Sequence, residues 1–206
     1  MSTQEQAFTD AIRSIVERAR TETDDQFDED ALDDVCEAAE RDLYARADRD
    51  EVYDAVVDAA ATRIERNPAY KRLAAGAFRQ QYYRDVIGED LSGDDLDAAY
   101  RETFVENLRR GVEMGLLDDR MTERFDLSAM AETLVPERDR DFEYMAMDTL
   151  RQRYFLKTET DGEHLELPQA FWLRIAMGLA LEEDDPEARA REFYEVLSTF
   201  EFTPST

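Results

Sequence analysis

Residue types able to do chemistry are scarce in this 206-residue sequence, and those present are badly spaced for it. The lone histidine, His164, sits beside a turn in TETDGEHLE, with no Cys, His or Glu at ligand spacing. It is expected to face solvent, since a zinc site needs three or four convergent donors and a Ser-His-Asp triad needs its partners. The lone cysteine, Cys36, excludes an internal disulfide, a CxxC redox pair and a cysteine zinc site. It keeps helical spacing with Leu32, Ala39 and Leu43, which predicts a buried thiol. The Asp and Glu residues are numerous, yet the Glu-x-x-His pair of a di-iron bundle is absent, so they read as a solvated outer face. Neither common glycine-rich phosphate loop occurs. These residues assign no catalytic group and no metal ligand, so the chain alone does not read as an enzyme.

Charge narrows the partners. There are 51 acidic and 25 basic residues, a formal charge of −26, and Lys71 and Lys157 are the only lysines. No basic stripe exists to displace counterions from phosphates, which argues against nucleic-acid binding. Apolar residues recur at helical spacing throughout, unlike a disordered acidic chain. An acidic, lysine-poor surface over a patterned core fits a salt-rich cytoplasm, where ions screen self-repulsion, so a halophilic source is expected. No signal peptide and no run of about 18 apolar residues is present, so the chain is expected to be cytoplasmic with no membrane partner.

The elements that would position any site are helices. Phe8, Ile12, Ile15, Val16 and Ala19 line one face of a helix over 3–20. After the acidic linker TETDDQFDED, Asp28 or Asp30 can cap a second helix running to about Tyr44. Asp48 or Asp50 can cap a third with Val52, Tyr53, Val56, Val57, Ala60 and Ile64 on a 3.6 period. Pro68 suits the start of a fourth, which Gly88 ends. From Ser92, Leu96, Tyr100, Phe104, Leu108 and Val112 form a stripe to about Gly115. Helices are thus expected near 51–65, 69–87, 94–114, 139–155, 168–181 and 187–199. Asp161-Gly162 suits a type I′ turn, giving one short hairpin near 156–166. The fold class is all-α, with that hairpin as its only β feature.

The last third organises the rest. In QAFWLRIAMGLAL only Gln169 and Arg174 are clearly polar, and a helix apolar nearly all round belongs inside a larger body. Pro186 opens a final helix with Ala190, Phe193, Leu197 and Phe200 expected inward. Three ordered blocks, DRDFEYMAMDTLRQRYFL, ELPQAFWLRIAMGLAL and FYEVLSTFEFTPST, resemble the all-helical N-terminal region of the ribonucleotide reductase large subunit. Upstream, DEVYDAVVDAAATRIERNPAYKRLAAGAFRQQYYRDVIG resembles the helical half of that family's ATP-cone, and MGLLDDRM its bridge between cone and helical domain.

The resemblance implies a division into a partial ATP-cone over 1–90, a helical bridge over 91–137 and the all-α domain over 138–206. A complete cone opens with a β-hairpin whose turn holds triphosphate; here the chain enters a helix at once, and no lysine precedes Lys71. Tyr53 and Arg84 fall where the family's helical half faces an ATP or dATP effector, where a His and a Lys are common; a lone Tyr and a lone Arg on amphipathic helices more often serve packing and the surface. The family's radical chemistry uses cysteines of a catalytic barrel that follows this region. The hydroxyl opening that barrel contacts substrate phosphate. Thr206 falls there when a proline comes next, and Ser205 is the adjacent candidate. The implied function is that of an N-terminal segment of a ribonucleoside-diphosphate reductase large chain, binding no cofactor itself. Its implied partners are the downstream barrel, a radical-generating small subunit and a second large chain in a homodimer. The alternative is a stand-alone helical adaptor or regulator on the same scaffold.

Overall fold

Asp28 and Asp48 set the starts of two helices. Each adopts extended backbone and turns its carboxylate onto the first free N–H groups of the next turn. At Asp48 the cap is reciprocal: Oδ1 accepts from the Glu51 N–H at 3.0 Å, and Glu51 Oε2 accepts from the Asp48 N–H at 2.8 Å. In the computed structural model, which describes residues 3–21, 27–43 and 47–202, the described residues form ten α-helices and one 3-10 helix. The helices are α1 (Thr3–Thr21), α2 (Glu29–Asp42), α3 (Arg49–Ala61), α4 (Tyr70–Ile87), α5 (Gly93–Glu113), α6 (Arg120–Glu123), α7 (Leu127–Ala131), α8 (Tyr144–Arg153), α9 (Pro168–Leu179) and α10 (Pro186–Ser198). The 3-10 helix spans Pro136–Asp141. The fold is all-α, as the periodicity requires.

Two compact units divide the chain, and the division falls within α4 and within α8. The first comprises residues 1–82 and 140–149. Ile12, Ile15, Val16 and Ala19 of α1 meet Leu32, Val35 and Ala39 of α2 and the α3 stripe in a buried apolar core. Cys36 is buried there, and burial raises its thiol pKa. Gly76 of α4 lets α1 approach closely: a methyl at that position would lie 3.1 Å from the Ala19 Cα. Arg63 is buried with its Nε on Asp34 Oδ2 at 2.7 Å and its NH1 on the Ala59 carbonyl at 2.7 Å.

The second unit comprises 83–139 and 150–206. Tyr100, Phe104 and Leu108 of α5 share its core with Met121, Met130 and Leu134, and with the buried face of α9. α9 and α10 pack antiparallel, with Gln169 against Tyr194 and Trp172 against Phe200. Arg124 donates to the Leu181 and Glu183 carbonyls in the turns that follow α9.

Several expectations are corrected. The helix expected over 139–155 is interrupted: the 3-10 helix ends at Asp141, and α8 starts only at Tyr144. α3 stops at Ala61, so Ile64 lies in the following turns. On α10 the inward aromatic is Tyr194, 1% exposed, while Phe200 is 40% exposed. Phe200 has left the helix, with φ +60° after the cap at Thr199. The hairpin reduces to a single antiparallel bridge, Lys157 with His164, flanked by Leu165 N–H to the Leu156 carbonyl at 2.8 Å. Its turn is not type I′, which needs φ above zero at both central residues. Gly162 has φ +73°, but among the described residues Phe200 is the only non-glycine with positive φ, so Asp161 does not. The Asp161 carboxylate instead accepts from the Thr158 hydroxyl, and Thr158 Oγ1 accepts from the Glu163 N–H at 3.0 Å.

Candidate functional site

The most elaborate polar arrangement lies inside the second unit, around Asp139 within the 3-10 helix. The side chain is fully buried. Its Oδ2 accepts from the Tyr83 hydroxyl at 2.6 Å and the Tyr100 hydroxyl at 2.9 Å, and its Oδ1 from the Gln169 amide at 2.9 Å. Gln169 N–H donates to the Tyr100 oxygen at 2.8 Å, and the Tyr194 hydroxyl donates to Gln169 Oε1 at 2.9 Å. The Val135 N–H donates to the Tyr194 oxygen at 3.0 Å, closing a network that joins α4, α5, the 3-10 segment, α9 and α10. Burial raises the Tyr100 phenol well above its ordinary range, the Asp139 charge adding to it. Burial likewise raises the Tyr194 pKa to about 12. Both phenols therefore stay protonated as donors at neutral pH. Arg138 lies over the Tyr194 ring at 5.7 Å and donates to Ser198 Oγ at 2.5 Å and to both Glu195 oxygens at 2.9 Å.

The residues of this network are buried, and its chemistry is positional: it fixes the start of α9, where Pro168 enters the first turn. A second buried carboxylate, Glu166, pairs with Arg174 and accepts from the Leu156 N–H at 2.9 Å. The cavity beside it, lined by Phe104, Leu108, Leu117 and Leu165 among others, has a volume of about 10 Å³, enough for one water. Among the described residues no group of three His, Cys, Asp or Glu side chains is placed to hold a metal ion.

Of the residues singled out by sequence, Tyr53 and Arg84 fall in different units. Tyr53 is fully buried in the first unit, its oxygen receiving Arg18 NH2 at 3.2 Å and its ring lying 5.8 Å from the Arg49 guanidinium carbon. Arg84 belongs to the second unit, half-buried, with NH2 3.7 Å from Asp85 Oδ1. Ser205 and Thr206 lie outside the described residues. His164 is half-buried rather than solvent-exposed, and burial, with Arg151 and Lys157 nearby, lowers its pKa. Of the buried network, the sequence pattern marks Tyr100, as part of an apolar stripe, and Gln169, as a polar residue in an apolar helix. Asp139 was one acid among many.

Comparison with known proteins agrees with this helical architecture. Residues 140–206 match the family described as ribonucleotide reductase, all-alpha domain. The similarity extends well upstream. The chain is 37% identical over 164 residues to the ribonucleoside-diphosphate reductase subunit alpha of Chlamydia trachomatis serovar D, covering 80% of this chain and 15% of that protein. It is 34% identical over 153 residues to the subunit alpha of Helicobacter pylori, covering 74% and 18% respectively. With the subunit alpha of phage T4 it shares 26% over 157 residues, 73% of this chain and 19% of the other. The chain belongs to the ribonucleotide reductase large-subunit family, corresponding to an N-terminal portion of such a subunit. It spans 15% to 19% of the length of these relatives.

Proposed function

We propose that this chain serves as the N-terminal segment of a ribonucleoside-diphosphate reductase large subunit. In that role it contributes to the reduction of ribonucleotides to deoxyribonucleotides for DNA synthesis. The observation that carries the reading is the match of 140–206 to the all-alpha domain, together with 37% identity across most of the chain to a reductase alpha subunit. The thiyl-radical chemistry belongs to cysteines elsewhere in the enzyme. Cys36 lies buried in the apolar core of the first unit. The segment's own work is structural: α9 and α10, locked by the Asp139 network, present a fixed helical layer to the catalytic polypeptide. The working enzyme pairs this layer with that polypeptide, a radical-generating small subunit and a second large chain. Thr206, with Ser205 beside it, opens the substrate-phosphate segment when a proline follows. For an ATP or dATP effector Arg84 is the remaining candidate contact, since Tyr53 is fully buried, and with no phosphate-holding hairpin expected, that binding is weak.

The acidic surface and the near-exclusive use of arginine in the ion pairs described support an origin in a salt-rich cytoplasm. Depleting the chain in its source cells and measuring nucleotide pools tests the function. Deoxyribonucleotides are expected to fall while ribonucleotides hold. Unchanged pools would contradict the proposal and favour a separate adaptor role.

A further inference from the structure

In a chain of 51 acids and 25 bases, the run RQRYFLK over 151–157 carries three bases and no acid. Arg151 and Arg153 stand in the last turn of α8, and Lys157 follows where the backbone becomes extended. The short hairpin then brings His164 to them. Lys157 and His164 face each other across the antiparallel bridge. Its flanking bonds run from the Thr158 N–H to the Glu163 carbonyl at 2.9 Å and from the Leu165 N–H to the Leu156 carbonyl at 2.8 Å. The pair is therefore the narrow, non-hydrogen-bonded kind, whose side chains share one side of the ribbon at close range. Lys157 Nζ also donates to the Gln152 carbonyl at 3.4 Å, which turns the ammonium back toward the end of α8. Arg151 and Lys157 both act on His164 and lower its pKa.

The hairpin's own carboxylates are engaged elsewhere. Glu163 accepts from both Arg110 terminal nitrogens, at 2.7 and 2.5 Å. Asp161 accepts from the Thr158 hydroxyl, and Glu166 is held by Arg174 and the Leu156 N–H. A helix C-terminus attracts cations, but its dipole supplies only about half a negative charge. Arg151, Arg153 and Lys157 exceed that, even with Asp148, one turn earlier on α8, set against one of them. Cations facing a half-buried imidazole repel its protonated form, and a bound anion would reverse that.

We propose that Arg151, Lys157 and His164 form a binding site for a phosphate group. The guanidinium and the ammonium meet its two negative charges, and the imidazole donates to a third oxygen. All three residues belong to the second unit, and the site stands independently of the reductase reading.

His164 is the only histidine, so its ring proton signals in NMR report the site without a label. The chain is titrated with inorganic phosphate replacing chloride at constant ionic strength. The ring signals are expected to follow a saturable curve, and saturating phosphate should raise the His164 pKa. A rise of about one unit corresponds to tenfold tighter binding to the protonated ring. Lys157→Gln, at an exposed position, should weaken phosphate binding about fivefold or more. Without phosphate the same variant should raise the His164 pKa, because one repelling charge is gone. Lys71→Gln, the other lysine, in the first unit, should change neither. Ribose 5-phosphate binding as tightly as inorganic phosphate would identify esterified phosphate as a ligand. Binding of the inorganic ion alone would restrict the same site to free phosphate. A linear drift without saturation, a His164 pKa that phosphate leaves unmoved, or Lys157→Gln binding phosphate as wild type does would overturn the site.

Discussion

Replacing Asp139 by alanine removes one acceptor from three buried donors at once: the hydroxyls of Tyr83 and Tyr100 and the side-chain amide of Gln169. A buried donor left without a partner costs about 1–3 kcal/mol. Water entering the vacated space and relief of the buried charge offset part of that. A loss of about 3–5 kcal/mol is expected, a large share of the roughly 5–15 kcal/mol that holds a typical domain. Asp139→Asn keeps one acceptor oxygen but sets an amide donor where a donor already points, and should cost about 1–3 kcal/mol. Tyr83→Phe removes one donor and leaves the carboxylate its two other bonds, so about 1 kcal/mol is expected. Urea denaturation at fixed molar salt, followed by circular dichroism, gives all three. With a slope of about 2 kcal/mol per molar urea, the alanine variant should unfold some 2 M earlier. The order should be Tyr83→Phe, then Asn, then Ala, and the Tyr83→Phe/Asp139→Asn cycle should couple by about 1 kcal/mol or more. An alanine variant within 1 kcal/mol of wild type would refute the view that this network fixes α9.

Three further outcomes are expected. Gly76→Val should destabilise the first unit by about 1–3 kcal/mol, because its Cβ would press on Ala19 where α1 and α4 meet; differential scanning calorimetry showing no change would contradict that packing. His164 should titrate below its ordinary 6.5. The unfolded chain then binds more protons than the folded one just below 6.5, so stability falls as pH drops through that value and levels off below the folded pKa. NMR of this single histidine, with unfolding midpoints of His164→Gln that lose the dependence, checks it; a folded pKa at or above 6.5 would reverse the sign. Calorimetric titration with ATP and dATP in molar potassium chloride should give weak binding or none, and micromolar affinity abolished by Arg84→Ala would contradict the half-cone reading.

What was legible in the sequence was what local physics encodes. Asp28 and Asp48 were among the expected caps, the apolar stripes of α1, α3 and α5 give the buried faces, and Gly88 ends α4 with φ +91°. The break before Tyr144 was not legible, because it follows from Asp139 being held in the core by tyrosines 39 and 56 residues away. The same bonds explain α10: a phenol, but not a phenylalanine ring, can reach Gln169 and the Val135 N–H, so Tyr194 takes the inward position. The hairpin turn followed side-chain bonding by Thr158 and Asp161 rather than the dipeptide rule. The reductase connection came from the order of the three blocks, since composition and periodicity alone specify only a helical domain.

The central claim is that this chain completes a reductase whose chemistry lies in other polypeptide. Mixing purified chain with the separately produced catalytic polypeptide and the radical-generating subunit, then following conversion of a ribonucleoside diphosphate to its deoxy product, tests it most directly. Neither component set lacking this chain, nor this chain alone, should form product, and the mixture should. Full activity without the chain, or none in a mixture of verified folded components, would contradict the account.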